Sequence, residues 1–437
     1  MYTHVTEGYN NAMFRKTAIL LLIIITSLFT LSAAAVREQE RAKSQEDLSI
    51  VHVTDPHYLS PEITDYSDHF MAIVENADGK VTHLTPQLTD AFVRDMLILK
   101  PDAVIISGDL TLNGAEESHK GFAKALLPMA EAGIKVFVIP GNHDTDGTSY
   151  VFRNGKTYQK DSIESEDFPD IYSESGYGDA VSRDEYSLSY FGKISDALWV
   201  LMVDVNANGT FCTVKNETLK WMEENLKKAK AEGIRVISST HQPMSVHNSR
   251  FTFGYTVSNA NKVMELYGKY GVELNLAGHL HIQHINHEDG FTDIAASSLA
   301  VSPNQYGIIT IRNNRPVSYE TRSVDVSSWA EENGIMLSSL LNFSDYSADF
   351  FDRTTLSKLN KAFSENNLTD EETERLKNIA AKINREYFEG KATVTEDDED
   401  WILWQEKMNG ISFGSYMGTI VSEAPYDMTR FDFPVTK

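Results

Sequence analysis

The chain has 437 residues and a single cysteine, Cys212. One cysteine excludes an internal disulfide and any cysteine-rich zinc or iron–sulfur site, so stability must come from a buried core, which this length supplies. A net charge of −24 repels nucleic-acid backbones and anionic membrane surfaces, which argues against a nucleic-acid polymer as partner.

Residues 1–12 are mostly polar. Met13-Phe14-Arg15-Lys16 then leads into an apolar run over 17–31, followed by small residues at 32–35 and by Arg37-Glu38. Charged, apolar, small is the order of a secretory signal over residues 1–35, with Met13 as a natural start. The alternative is a retained N-terminal membrane anchor that tethers the chain through residues 17–31. That run is short against the roughly 20 residues of a full span, which favours a cleaved signal. No cysteine follows the run, so a lipoprotein anchor is disfavoured. The chain is therefore expected to be exported, either secreted or held at the cell surface. Without residues 1–35, which remove Arg15, Lys16 and Glu7, 37 basic residues face 62 acidic ones.

Leu48 to Thr54 reads as a buried strand, rich in β-branched residues, ending in Asp55-Pro56-His57. A helix is expected next: Thr85 as N-cap, Pro86 at the first position, Leu88, Ala91, Phe92, Met96 and Leu99 at helical spacing, and Pro101 as a stop. Ala103 to Ser107 is a strand ending Gly108-Asp109, and Lys120 to Ala132 is helical. Ile134 to Ile139 is a strand ending Pro140-Gly141-Asn142-His143-Asp144. This alternation predicts a parallel or mixed sheet with helices on its faces. Residues 145–188 break the rhythm with seven aromatics among many charges. They read either as a ligand-gripping insertion or as a surface subdomain packing its own rings. Ala197 to Val205 is the next strand, Leu219 to Glu232 a helix, and Ile234 to Thr240 a strand ending His241-Gln242-Pro243. The helix Asn259 to Tyr270 and the apolar run Val272 to Ala277 lead to Gly278-His279-Leu280-His281. Phe291 to Leu299, Gly307 to Ile311 and Pro316 to Thr321 are expected to complete a second sheet.

Five strand ends thus carry ligand-type side chains: Asp55 and His57, Asp109, Asn142 and His143, His241, and His279 and His281. Sites in α/β sheets form at the carboxyl ends of strands, so these residues can share one crevice. Carboxylate, imidazole and amide oxygen in this number suit two divalent ions, which hydrolytic sites hold roughly 3.5–4 Å apart. His4, His52, His69, His83, His119, His284 and His287 carry no such pattern and read as ordinary core or surface residues.

The series D-x-H, G-D, G-N-H-D, H-x-P and G-H-x-H, in this order over residues 48–322, resembles the calcineurin-like metallophosphoesterases. The resemblance implies an α/β fold, a four-layer α-β-β-α sandwich. It implies a metal-dependent phosphoesterase with two divalent ions, Mn, Fe or Zn. Asp55, His57 and His281 would hold the first ion, Asn142, His241 and His279 the second, and Asp109 would bridge them. His143 would assist the leaving group, oriented by Asp144, while hydroxide from a metal-bridging water attacks phosphorus. The tyrosine ligand of the purple acid phosphatase branch would fall at Leu112, which disfavours that branch. The run Gly108 to Gly114 (G-D-L-T-x-N-G) and the aspartate of G-N-H-D look most like the bacterial class III cyclic nucleotide phosphodiesterases, some of which carry an added helical C-terminal domain. The expected substrate is then a small phosphoester, a 3',5'-cyclic nucleotide by preference. A phosphomonoester, a cell-envelope phosphodiester, or a surface binding protein with vestigial activity are the alternatives. Asn113 and His247 are candidates for contact with phosphate or ribose, against a plainer reading as loop polarity.

Beyond about residue 326 the composition changes, which divides the mature chain into residues 46–325 and a smaller, mainly helical domain over 326–437. Trp329 to Phe363 and Leu368 to Phe388 read as helices. Thr369 with Glu372 forms a capping box, and Gly390 is a stop. The acidic run Glu396 to Asp400 reads as a solvated turn, and Trp401, Ile402 and Trp404 as packing residues. This domain is expected to stabilise the chain or to support a homodimer, ahead of binding substrate or wall.

Overall fold

The computed structural model describes residues 47–434 except Asn208. The signal peptide or anchor expected over residues 1–35 lies outside the described residues. Among the described residues no helix is long and apolar enough to cross a membrane.

The strands in chain order are β1 (Leu48–Val53), β2 (Ala103–Ile106), β3 (Lys135–Val138), β4 (Thr148–Arg153), β5 (Lys156–Asp161), β6 (Ser182–Arg183), β7 (Tyr190–Ser195), β8 (Leu198–Val203), β9 (Arg235–Thr240), β10 (Leu274–Ala277), β11 (His284–Glu288), β12 (Phe291–Ala295), β13 (Gln305–Arg312), β14 (Arg315–Ser323), β15 (Lys391–Ala392), β16 (Tyr426–Asp427) and β17 (Arg430–Asp432). One sheet runs β17-β14-β13-β1-β2-β3 and the other β11-β12-β10-β9-β8-β7-β6. β1, β2 and β3 are parallel, as are β8, β9, β10 and β12.

The two sheets pack face to face, with helices outside each. β8 shows why. Leu198, Val200 and Met202 share a core with Ile50, Val104 and Leu276, while Trp199, Leu201 and Val203 on its other face pack with Met222, Leu226, Val263 and Tyr267 of the helices Asn216–Ala231 and Ala260–Tyr270. Side chains alternate across a strand, so a strand covered on both faces must be apolar at every position, and all six residues of β8 are buried. The helices Thr85–Leu99 and Glu116–Glu131 cover the first sheet through Leu88, Phe92, Met96, Phe122 and Leu126. This is the α-β-β-α sandwich, and a helical C-terminal region follows it.

One expectation changes, and one of two open readings is favoured. β13 and β14 do not complete the second sheet: β13 pairs antiparallel with β1, and β14 with β13, so both extend the first sheet. The chain crosses back after β12, because β1 still needs a partner on its free edge. The insertion over 145–188 supplies core rather than a ligand loop. β4 and β5 form a hairpin around Asn154-Gly155, both at positive φ, and Phe152, Phe168, Tyr172 and Tyr177 are buried, while Tyr158 and Tyr186 are exposed. The Asn-Gly dipeptide is itself a two-residue hairpin signal.

The described residues from Leu48 to Pro434 fall in one compact unit. The C-terminal helices Val326–Glu332, Ser338–Leu341, Phe343–Ser357, Asn360–Glu365, Asp370–Glu389, Glu399–Lys407 and Ser412–Glu423 are followed by β17, which pairs with β14 and joins the first sheet. Trp401 and Trp404 are buried in the C-terminal core, while Ile402 is 42% exposed.

Candidate metal centre

The parallel strands of both sheets end at one edge, and the turns that follow them carry the ligand-type residues. The backbone there is unusual. Asp55, His57, Asp109, His279 and His281 all have positive φ, between 43° and 68°. Each such residue costs of order 1–3 kcal/mol and persists only where its surroundings over-determine it. Tertiary hydrogen bonds do so here: Asp55 N–H donates to Gly108 O (3.1 Å), His57 N–H to Asp109 O (3.1 Å) and His279 N–H to Asp55 Oδ2 (2.9 Å). Gly278, whose φ is ordinary, is required for approach instead. A Cβ there would lie 1.8 Å from Thr54 Oγ1 and 2.4 Å from Asp55 Oδ2. Gly141 is similar, since a Cβ would fall 2.1 Å from Asp109 Oδ1.

The result is two groups that share one carboxylate. Asp55, His57, Asp109 and His281 bring ligand atoms within 4.8 Å of one another, and so do Asp109, His241 and His279. Asn142 joins the second group, its Oδ1 3.1 Å from His241 Nε2. In the first group His281 Nε2 lies 3.2 Å from both His57 Nε2 and Asp55 Oδ1. In the second, His241 Nε2 lies 3.3 Å from Asp109 Oδ1. Two imidazole nitrogens turned on each other beside a carboxylate converge on a point where a cation could sit. Asp55 Oδ1 is fully buried yet accepts no well-directed hydrogen bond, an orphan that a cation would satisfy. These donors fit borderline or hard divalent ions.

Neighbours fix which nitrogen each ring presents. His241 Nδ1 donates to Ser107 O (2.8 Å) and leaves Nε2 facing the site. His279 Nε2 donates to Gly254 O (3.1 Å) and leaves Nδ1. Such outer hydrogen bonds set tautomer and orientation in metal sites. The amide of Gln242 reaches Asn142 Oδ1 (3.4 Å) and exchanges hydrogen bonds with Asn206. Sequence reasoning missed this pair, although Gln242 is the middle residue of H-x-P. It also missed Lys80, a buried cation 2.9 Å from Asp78 whose charge reaches His57; a lone lysine in a loop gives no sequence signal.

The charge balance suits cations. Burial alone would raise Asp55 and Asp109, but the imidazoles, His281 foremost for the first and His241 for the second, outweigh it and hold both carboxyls below the usual range. Burial, helped by Lys80, keeps His57 well below its ordinary value. Burial with the His241 charge takes His279 down to about 4, so both stay neutral, as ligands must. His241 moves the other way: burial opposes its charge, yet Asp109 and Asp55 lift it to about 9.

His143 stands at the open side with its side chain 42% exposed, Nε2 3.9 Å from Asp109 Oδ2 and its ring 5.3 Å from that of His57. Its orienting partner differs from expectation. His143 Nδ1 lies 2.9 Å from Leu112 O, whereas the Asp144 carboxylate is fully buried. It accepts from the N–H groups of Leu110, Thr111 and Gly141 and from Thr111 Oγ1. Asp144 therefore pins the β2 and β3 turns together. His247 does not take the phosphate or ribose role for which it was a candidate: it is buried between Asp293 (3.4 Å) and His284 (3.0 Å), turned into the protein. Asn113 Oδ1 accepts from Ser149 Oγ (3.2 Å). A cavity of about 260 Å³ bounded by Glu273, His287, Arg315 and Phe433 lies by the amino-terminal ends of β10 and β12, away from these ligands.

Residues 48–283 match the model of the calcineurin-like phosphoesterase family. The chain belongs to that family. It is a metal-dependent phosphoester hydrolase, with residue clusters able to bind a dinuclear metal site and small phosphoesters as its substrate class. Residues 325–427 match the model described as the C-terminal domain of cyclic nucleotide phosphodiesterase. A "Probable glycerophosphodiester phosphodiesterase" of Arcobacter nitrofigilis is 25% identical over 240 residues, 54% of this chain and 76% of that one. A "Probable cyclic nucleotide phosphodiesterase" of Ruthia magnifica is 25% identical over 228 residues, 51% of this chain and 79% of that one. Among solved structures, a dimetal phosphatase from Danio rerio aligns over 63% of this chain and 95% of its own at 12% identity, with a TM-score of 0.43.

Proposed function

We propose that this phosphoesterase hydrolyses a 3',5'-cyclic nucleotide, as an exported enzyme using Mn, Fe or Zn. The observation that carries the substrate is the pairing of the shared-carboxylate ligand set with a C-terminal region matched over residues 325–427 to the domain named for cyclic nucleotide phosphodiesterase. Asp55, His57 and His281 would hold one ion and Asn142, His241 and His279 the other, with Asp109 common to both groups. When bound, the ions supply charge neutralisation for phosphate oxygens and a hydroxide nucleophile at neutral pH. The chain's own residues do the rest. His143, its Nδ1 committed to the Leu112 carbonyl, turns Nε2 to the substrate, and the proton on that atom passes to the leaving alkoxide as its bond to phosphorus breaks. Asp144 keeps the two flanking turns in register.

The Arcobacter relative favours a second reading, a glycerophosphodiester. One panel separates them: purified enzyme with Mn2+ acting on 3',5'-cyclic AMP, glycerophosphoethanolamine, bis-p-nitrophenyl phosphate and p-nitrophenyl phosphate. We expect turnover of the cyclic nucleotide, and its loss in Asp109→Ala. Hydrolysis of the monoester alone would overturn the proposal, and hydrolysis of the glycerophosphodiester alone would select the second reading.

A further inference from the structure

Beside the metal ligand His279 stands a group of rings that the chemistry above does not use. Phe253 is 84% exposed, Phe211 59% and Tyr255 41%, in a protein whose other large rings are mostly buried. The rings of Phe211 and Phe253 lie 6.1 Å apart, tilted by 45°, and the Tyr255 ring is 5.6 Å from that of His279. One carbonyl holds this group to the site. Gly254 O accepts from His279 Nε2 (3.1 Å) and also from Cys212 Sγ (3.3 Å). Burial pushes the Cys212 thiol up to about 11, so it keeps the proton that makes it a donor. Gly254 has φ +82°, and a Cβ there would come within 3.3 Å of Phe211 Cζ, so Phe211 packs directly over this glycine. Phe251 packs at 5.0 Å on Tyr255, tilted by 36°, and reaches Tyr416 of the C-terminal helix at 6.0 Å.

Exposed rings fixed this firmly call for a ligand. Leaving two phenylalanines in water forfeits their transfer free energy, and a loop clamped at a glycine carbonyl and a buried thiol does not turn them inward. We infer that Phe211, Phe253 and Tyr255 form a stacking platform for the planar base of a nucleotide whose phosphate sits at the metal centre, which makes them the specificity-determining residues. This rests on the phosphodiesterase reading above and adds the element that reads the organic arm. Stacking suits these rings because they are exposed and do not close around a point. A quaternary ammonium group would want rings that enclose it, and an acyl chain would want a groove. The inference also gives the C-terminal region a part in the reaction, since Tyr416 backs the platform through Phe251.

The test compares wild type, Phe253→Ala, Phe211→Ala and Phe253→Trp in the Mn2+-loaded full chain. The substituted side chains are exposed, so the variants fold. Expected is a KM for 3',5'-cyclic AMP about tenfold higher in Phe253→Ala, the loss falling on KM rather than kcat, with recovery in Phe253→Trp. The KM for glycerophosphoethanolamine, which has no ring, should not follow it. Equal loss on both substrates, an unmoved KM for cyclic AMP, or a rise confined to glycerophosphocholine would overturn the platform. Should wild type turn over no cyclic nucleotide, the substrate reading fails before any variant is compared. Calorimetric binding of 5'-AMP then decides the platform: about tenfold weaker binding in Phe253→Ala supports it and equal binding overturns it.

Discussion

At the scale of single residues, the centre depends on backbone that ordinary preference would refuse. Leu280 N–H donates to Gly278 O (2.7 Å) across His279, closing a three-residue turn with His279 at φ +68°. Turns of this kind with positive φ are rare and strained. Gly278 allows that turn to press on Thr54 and Asp55, so Gly278→Ala should cost at least about 2 kcal/mol and lower metal content. Urea titration with metal analysis measures both, and a variant of wild-type stability and stoichiometry would refute the packing argument. The turn also divides its histidines: His281 faces Asp55 and His57, while His279 faces Asp109 and His241. His279→Ala should therefore empty mainly one ion site and His281→Ala mainly the other. Loss of both ions from either variant would show that the sites do not fill independently. The ligand types were readable because each follows a strand end directly. The positive φ values were not, because the bonds that enforce them run between segments as distant as Asp55 and His279. Asp144 differs for the same reason: the resemblance implied His143 as its partner, while beside the nearby Gly141 its donors are Thr111 and Leu110, 33 and 34 positions away.

Among the elements, helices with local signals were read closely and long-range strand pairing was not. The helix Asp370–Glu389 begins with the reciprocal hydrogen bonds of Thr369 and Glu372 and ends at Gly390 in the left-handed region, as the sequence implies. Thr369→Ala should lower stability by about 1 kcal/mol in urea unfolding. β13 and β14 are strands by composition, but which sheet they join depends on the free edge of β1, some 250 residues earlier. His83 shows a pairing no local signal contains. It lies between the Thr85–Leu99 helix and the Phe343–Ser357 helix, its Nε2 2.7 Å from Tyr346 Oη and its ring 5.6 Å from that of Phe350. Burial lowers its pKa from 6.5 to about 4. A depressed group contributes stability that is complete above its unfolded value and is lost as pH falls through the folded one. The window is thus pH 6.5 down to 4, and the contribution is of order 2 kcal/mol after discounting residual exposure. In metal-free protein, the stability of His83→Phe relative to wild type should improve by that amount across this window. Parallel stability curves for the two proteins would exclude the role.

For the whole molecule, the C-terminal region packs directly behind the candidate metal centre. Leu280 and Ile282, which alternate with the candidate ligands His279 and His281, are buried in one cluster with Leu376, Ile379, Tyr387 and Trp404 of the C-terminal helices. Asn248 donates to Tyr387 Oη and Thr419 Oγ1, both at 2.9 Å, and Ser297 and Gln305 donate to the carbonyls of Phe388 and Glu389. β17 then returns to pair with β14 in the first sheet. A change of composition near residue 326 marks a boundary in sequence, and these contacts cross it. The side chains that alternate with His279 and His281 therefore rest on the C-terminal core, and the turn is held from both sides. Leu280→Ala should cost about 2–4 kcal/mol, as truncation of a buried leucine does, and should loosen metal retention although Leu280 touches no ion. In wild type, metal release, helical circular dichroism and tryptophan fluorescence should all follow one urea transition, because Trp199 and Trp221 report the catalytic sheets and Trp401 and Trp404 the C-terminal core. Metal release preceded by a separate C-terminal transition would mean that the centre stands without that support.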